Sequence, residues 1–224
     1  MRWITVLACV AGLAAVQFPA AQAAEREGSM ETRFGFVYQN SSDADFDGGT
    51  TAEFDSDTGF KFGFAYHYTD NLELALNLGI GQRDYDARIA VADEEGEPTG
   101  TFFGVSGDLD YTTVMVDATW NFLSGPFTPF VSGGIGWTWV DTNVATEPPE
   151  AVCWWDPWWG YVCADVTDTK TLDGFSYELA AGARYDFSET VVLLGSYRIN
   201  WIDFDHADGT PDFDGFELSF GWKF

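Results

Sequence analysis

Eight segments alternate apolar with small or charged residues, their connections are short and long in strict turn, and an export signal precedes them. Together these predict an all-β fold, an eight-stranded antiparallel up-and-down barrel that crosses a membrane. Period two gives a strand two unlike faces. On every segment one face is aromatic or aliphatic, and the other carries charges, hydroxyls and glycines. Lipid outside and a narrow wet lumen inside require that division. A soluble β-sandwich has no reason to sort its connections by side.

The signal comes first. Met1 and Arg2 form a short positive start, residues 3–16 are apolar, and Pro19 precedes Ala21-Gln22-Ala23, a small-x-small cleavage site. The apolar run is shorter than the about 20 residues that span a bilayer. Residues 1–23 are therefore expected to be a removed signal peptide, and residues 24–224 one barrel domain. Val6-Leu7-Ala8-Cys9 has the outline of a lipobox, but too little apolar chain precedes Cys9. No later segment is apolar for long enough to make a membrane helix. With 36 Asp+Glu against 10 Lys+Arg, nucleic acid is not an expected partner.

The predicted strands follow in order. Residues 33–39 place Phe34, Phe36 and Tyr38 on one face. Residues 59–68 set Phe60, Phe62, Phe64, Tyr66 and Tyr68 against Gly59, Lys61, Gly63, Ala65 and His67. Residues 72–83 set Leu72 to Ile80, at every second position, against Glu73, Asn77, Gly79, Gly81 and Arg83. In 112–122 the apolar face is Val114, Val116, Ala118, Trp120 and Phe122, opposite Asp117. In 127–140 it is Val131, Ile135, Trp137 and Trp139. Residues 175–187 oppose Phe175, Tyr177, Leu179, Tyr185 and Phe187 to Glu178, Arg184 and Asp186. Residues 191–201 oppose Leu193, Tyr197, Ile199 and Trp201 to Arg198. The last, 216–224, carries Phe216, Leu218, Phe220, Trp222 and Phe224 against Glu217 and Lys223.

Tight turns join 68 to 72, 122 to 127 and 187 to 191, whereas 40–58, 84–110, 141–173 and 203–214 read as longer loops. Eight strands with short turns on one side put both termini on the periplasmic side. Aromatics gather near the strand ends, where an interfacial girdle belongs.

The residues Thr128-Pro129-Phe130-Val131-Ser132-Gly133-Gly134-Ile135-Gly136-Trp137 and the terminal Phe220-Gly221-Trp222-Lys223-Phe224 carry a likeness to a known group. The chain resembles the small eight-stranded outer-membrane barrel family that includes OmpA-type transmembrane domains and opacity-type surface proteins. That resemblance implies the outer membrane of a Gram-negative cell, with its lipid and lipopolysaccharide as surroundings. Phe220, Trp222 and Phe224 resemble the terminal signal that the outer-membrane assembly machinery recognises. These motifs identify a fold and not an activity. The peptidoglycan-binding role of full-length OmpA-type proteins rests on a further domain beyond the barrel, so that role is not expected from the resemblance.

The inward charges are Arg33, Lys61, His67, Glu73, Arg83, Asp117, Glu178, Arg184, Asp186, Arg198, Glu217 and Lys223. An eight-stranded barrel has just enough room for side chains, and buried charges there must pair. Centring one hairpin on Asp70 sets His67 opposite Glu73; centring another on Ser188 sets Glu178 opposite Arg198. The network reads either as a structural plug or as a gated narrow path for ions or small apolar solutes. An open porin takes about 16 strands and is excluded.

The acidic surplus falls in the loops. Asp43, Asp45 and Asp47, followed by Gly48, match the opening of an EF-hand loop, but its twelfth position is Phe54, so a Ca²⁺ site is only weakly indicated. Cys153 and Cys163, left as an even pair in an exported chain, read as one disulfide. Between them lie Trp154, Trp155, Trp158, Trp159 and Tyr161, either a contact surface for an extracellular ligand or host surface, or packing over the barrel mouth. No cofactor is expected. Nor is an enzyme, because His67 and His206 have no neighbouring nucleophile with which to form a dyad. The expected role is a non-catalytic barrel displaying loops for envelope integrity, adhesion or recognition.

Overall fold

The computed structural model describes residues 25–46, 49–92, 98–145, 150–156, 158, 160–166, 169–204 and 210–224. The expected signal peptide at 1–23, Asp47, Trp159, His206 and the acidic run at 93–97 lie outside the described residues.

Among the described residues twelve strands follow in chain order: β1 (Met30–Gln39), β2 (Ser42–Phe46), β3 (Thr50–Phe54), β4 (Asp57–His67), β5 (Leu72–Ala92), β6 (Pro98–Asn121), β7 (Phe127–Ala145), β8 (Glu150–Asp156), β9 (Gly160–Val166), β10 (Thr169–Asp186), β11 (Val191–Phe204) and β12 (Asp212–Lys223). Eight of them close a ring in the order β1-β4-β5-β6-β7-β10-β11-β12, every neighbour antiparallel. The seam joins first strand to last, from Glu31 opposite Lys223 to Gln39 opposite Gly215. Closure leaves no ladder edge facing lipid, where an unpaired backbone group costs several kcal/mol.

Alternation decides which way each residue points. Phe60, Phe62, Phe64 and Tyr66 of β4, and Phe216, Leu218, Phe220 and Trp222 of β12, are all exposed on the outer wall. Lys61, His67, Ser219 and Lys223, their neighbours in sequence, are buried inside. Outer aromatics collect at both ends of the wall. Tyr66, Trp120, Phe122 and Phe187 stand near the tight turns, and Tyr38, Trp137, Trp139 and Phe175 near the opposite rim. This is the girdle of a membrane barrel.

Glycine inside the wall serves close packing. A Cβ on Gly134 would meet the Asp117 carboxylate, and one on Gly136 would meet the Val114 carbonyl and Met115. The Ser132-Gly133-Gly134-Ile135-Gly136 stretch therefore lets β7 lie under the long inward side chains of β6.

Three connections expected as loops are largely strand. β5 and β6 stay in register from Leu72 opposite Trp120 to Ala90 opposite Phe102. β2 and β3 form a hairpin, and β3 adds to β5 through Thr51 opposite Arg88 to Phe54 opposite Tyr85. β8 and β9 make a separate two-stranded sheet. The predicted strands end where the outer face ceases to be apolar. Alternation continues beyond that point with Asp84, Asp86 and Arg88 outside and Tyr85 inside, as in a wall standing in water.

One register is also corrected. Asp186 faces Val192, so Glu178 lies opposite Asn200 and Arg198 opposite Ala180, rather than Glu178 opposite Arg198. The turn is centred on Glu189 because Phe187 N–H donates to Val191 O (2.9 Å) and Val191 N–H donates to Ser188 Oγ (3.0 Å). A two-residue slip keeps every side chain on its face.

Candidate functional site

The interior has three storeys, counted from the end with the tight turns. The lowest is an ionic ring contributed by β1, β4, β5, β10 and β12. Arg184 sits at its centre, with Nη2 at 2.7 Å from Glu31 and 3.0 Å from Asp186, and Nη1 at 3.4 Å from Glu73. Arg33 bridges Glu31 (2.5 Å) and Glu73 (2.6 Å). His67 stands opposite Glu73, with Nε2 at 3.3 Å from Glu31 and 3.6 Å from Glu73. Lys223 Nζ lies 3.7 Å from Asp186. Arg184, Glu31, Glu73 and His67 are all fully buried.

Two members of this ring escaped the sequence reading. Glu31 extends the inward series of Arg33 and Gly35 by one step, a signal that was present but lay before the predicted start of the strand. Arg26 precedes β1 altogether, and no periodicity marks it. Its guanidinium pairs with Asp186 (2.8 Å) and donates to Leu123 O (3.0 Å) and Gly125 O (2.7 Å). The Arg26 and Glu27 amides donate to Asp70 Oδ1 at 2.9 and 3.2 Å. This segment so ties all three tight turns together. The two amides hold the Asp70 carboxyl below its ordinary value of 3.8.

Above lies the middle ring. Lys61 Nζ is 3.1 Å from Glu217, 3.4 Å from Glu178 and 4.0 Å from Asp117. Arg198 reaches Glu217 (3.2 Å) and, diagonally across the corrected register, Glu178. Asn77 donates to Asp117. The two rings together set six cations (Arg26, Arg33, Lys61, Arg184, Arg198, Lys223) against six carboxylates (Glu31, Glu73, Asp117, Glu178, Asp186, Glu217), with a void of about 40 Å³ beside the middle ring. Balance of this kind is what makes so much buried charge tolerable. The two rings therefore contribute nothing to the chain's net charge of −26.

Arg83 was expected in this network and stands apart from it. It lies one storey higher, where its Nη2 donates to Asn40 O (2.6 Å) and Asp55 O (2.9 Å), and its guanidinium lies over Phe54 (5.7 Å) and Phe213 (5.3 Å). Backbone carbonyls and ring faces are reached first because the inward face has turned apolar there. This third storey holds a buried cluster of Phe54, Tyr85, Leu109, Val140, Ile202 and Phe213, a feature the sequence reading did not foresee.

At the loop end, β8 and β9 place Cys153 opposite Cys163 and Trp154 opposite Val162. Trp155, Trp158 and Tyr161 are 78%, 85% and 61% exposed, and the rings of Trp155 and Tyr161 are 5.5 Å apart. Asp43 and Asp45 lie on β2, opposite Glu53 and Thr51. An extended strand does not wrap around an ion as an EF-hand loop does, so the weak Ca²⁺ indication at Asp43 and Asp45 is not matched by a loop there. Phe220 and Trp222 face outward on β12, and Phe224 beyond it is also exposed.

A closed eight-stranded ring with an apolar exterior and an ion-paired interior defines a transmembrane β-barrel of the smallest size. The chain belongs to the outer membrane protein beta-barrel domain family, whose model matches residues 5–224, and this places it in the outer membrane. Among solved structures it is similar to the outer membrane protein OprG from Pseudomonas aeruginosa, with 18% identity, a TM-score of 0.52, and 91% of this chain and 99% of that one covered. It is also similar to Neisserial surface protein A, with 13% identity, a TM-score of 0.50, and 88% and 98% covered. At these identities the likeness is one of fold. No curated protein matches the chain.

Proposed function

We propose that the protein is a non-catalytic, non-conducting barrel that presents its loop end to the outside for surface recognition. In this reading the tight turns and both termini face the periplasm, because eight strands return the chain to the side on which it started. The observation that carries the reading is the double ionic ring. The six cations and six carboxylates of the two rings fill the section that a solute would have to cross, and the void beside the middle ring, about 40 Å³, has room for a water or two. A barrel closed in this way acts through what it displays. The display is the β8–β9 hairpin with Trp155, Trp158 and Tyr161, aromatic residues of the kind that anchor contacts with proteins or glycans. A disulfide between Cys153 and Cys163 would hold that hairpin in one shape.

Conductance across planar bilayers tests the reading. Wild-type protein is expected to give no discrete steps, and Glu178→Gln, which removes a carboxylate that both Lys61 and Arg198 reach, is expected to admit transient ones. Reproducible wild-type steps would establish the narrow conduit instead.

A further inference from the structure

The third storey encloses more than a packed core. Tyr85, Leu109, Val140, Ile202, Phe204 and Phe213 line a cavity of about 250 Å³ within the loop-end half of the barrel. A cavity of about 150 Å³ lined by apolar side chains stays dry and takes up benzene. This one is larger and mostly apolar, with Arg83 in its wall and its other polar groups gathered chiefly at the rim and the floor. There Thr113 Oγ1 and Thr138 Oγ1 lie 2.9 Å apart, and Thr138 Oγ1 and Ser176 Oγ 2.7 Å apart, so these hydroxyls satisfy one another. Asn200, opposite Glu178 and one inward step below Ile202, completes the floor. Asn200 is 7% exposed, and its Oδ1 has no hydrogen-bond partner among the described residues. A buried amide oxygen left without a donor costs free energy. At the floor of a mostly apolar cavity that is an invitation to a ligand N–H or O–H.

Charge narrows the class further. Arg83 is fixed in the wall, which disfavours a cation inside. The loop-end surface exposes Asp43, Asp45, Glu53, Asp86, Asp108 and Asp141, which repel an anion before it arrives. We propose that this cavity is a binding site for a small, neutral, apolar molecule that seats one hydrogen-bond donor on Asn200 Oδ1. The site is independent of the recognition reading above. It needs neither the aromatic hairpin nor a particular orientation in the membrane.

The test uses the full barrel in lipid nanodiscs, with empty discs subtracted and N-phenyl-1-naphthylamine as probe. This molecule is neutral and apolar, carries one N–H, and fluoresces more strongly in dry surroundings. Saturable binding with one probe per barrel is expected. Val140→Trp and Ala52→Phe, two independent ways of filling the cavity, should each weaken it tenfold or more while leaving the barrel's β-sheet circular dichroism unchanged. In competition, 1-naphthol should be favoured over naphthalene, and Asn200→Leu should cut that preference by about three- to tenfold, the value of one neutral hydrogen bond. No saturable signal above empty discs, or equal binding to both filled variants, would overturn the site. An unchanged naphthol preference in Asn200→Leu would overturn the role of Asn200.

Discussion

Consider the removal of Arg184 from the centre of the lower ring. Arg184→Leu deletes contacts at 2.7 Å to Glu31, 3.0 Å to Asp186 and 3.4 Å to Glu73, all without solvent. Breaking a buried ion pair by removing one partner costs about 3–5 kcal/mol when the other is stranded. Here none is wholly stranded. Arg33 still holds Glu31 and Glu73, and Arg26 and Lys223 still hold Asp186. The ring loses its one surplus positive charge and becomes neutral, so the loss belongs at the low end, about 3 kcal/mol. Glu31→Leu is the opposite case. It robs both Arg33 and Arg184 of their nearest carboxylate and leaves four cations with two anions, so it should cost about 4–5 kcal/mol. The double variant removes a matched pair and should cost at least about 1.5 kcal/mol less than the two single losses added, because the sites share one network. Urea unfolding of barrels refolded into lipid vesicles, followed by tryptophan fluorescence, measures all three. Strict additivity, or a loss for Arg184→Leu under about 1 kcal/mol, would refute a ring held by shared charge.

Two further outcomes follow from the ends of the barrel. The Asp70 carboxyl is held below its ordinary 3.8 by the Arg26 and Glu27 amides, so its contribution is fully present above that value and is lost as pH falls through the lower folded one. Hydrogen exchange at those two amides should accelerate across that acid range in wild type, and Asp70→Asn should flatten the dependence. If Cys153 and Cys163 are bonded, intact mass under non-reducing alkylation will show neither thiol labelled, and Cys153→Ser will leave one. The bond is worth about 3 kcal/mol by the loop-entropy argument, confined to the hairpin it closes.

Much of this architecture was legible in one dimension. Period-two alternation in 59–68 or 216–224 is enough to say which side chains meet lipid, because a strand has only two faces and lipid tolerates one kind of residue. The same parity put Lys61, Glu178, Arg198 and Glu217 inside, whatever the register. What parity cannot say is which neighbour a charge meets. The slip of β10 on β11 moved Arg198 from opposite Glu178 to opposite Ala180, and only the length of its side chain restored the contact. Arg26 belongs to no strand and so carries no periodic mark; its role arises where three turns distant in sequence converge. The apolar upper storey was hidden for a related reason. Alternation separates inside from outside, but whether an inside is wet or dry depends on what the other seven strands and the β2–β3 hairpin place at the same height. Tyr85, Leu109 and Phe213 become a cavity wall only when the ring closes, and that is a decision of the tertiary structure.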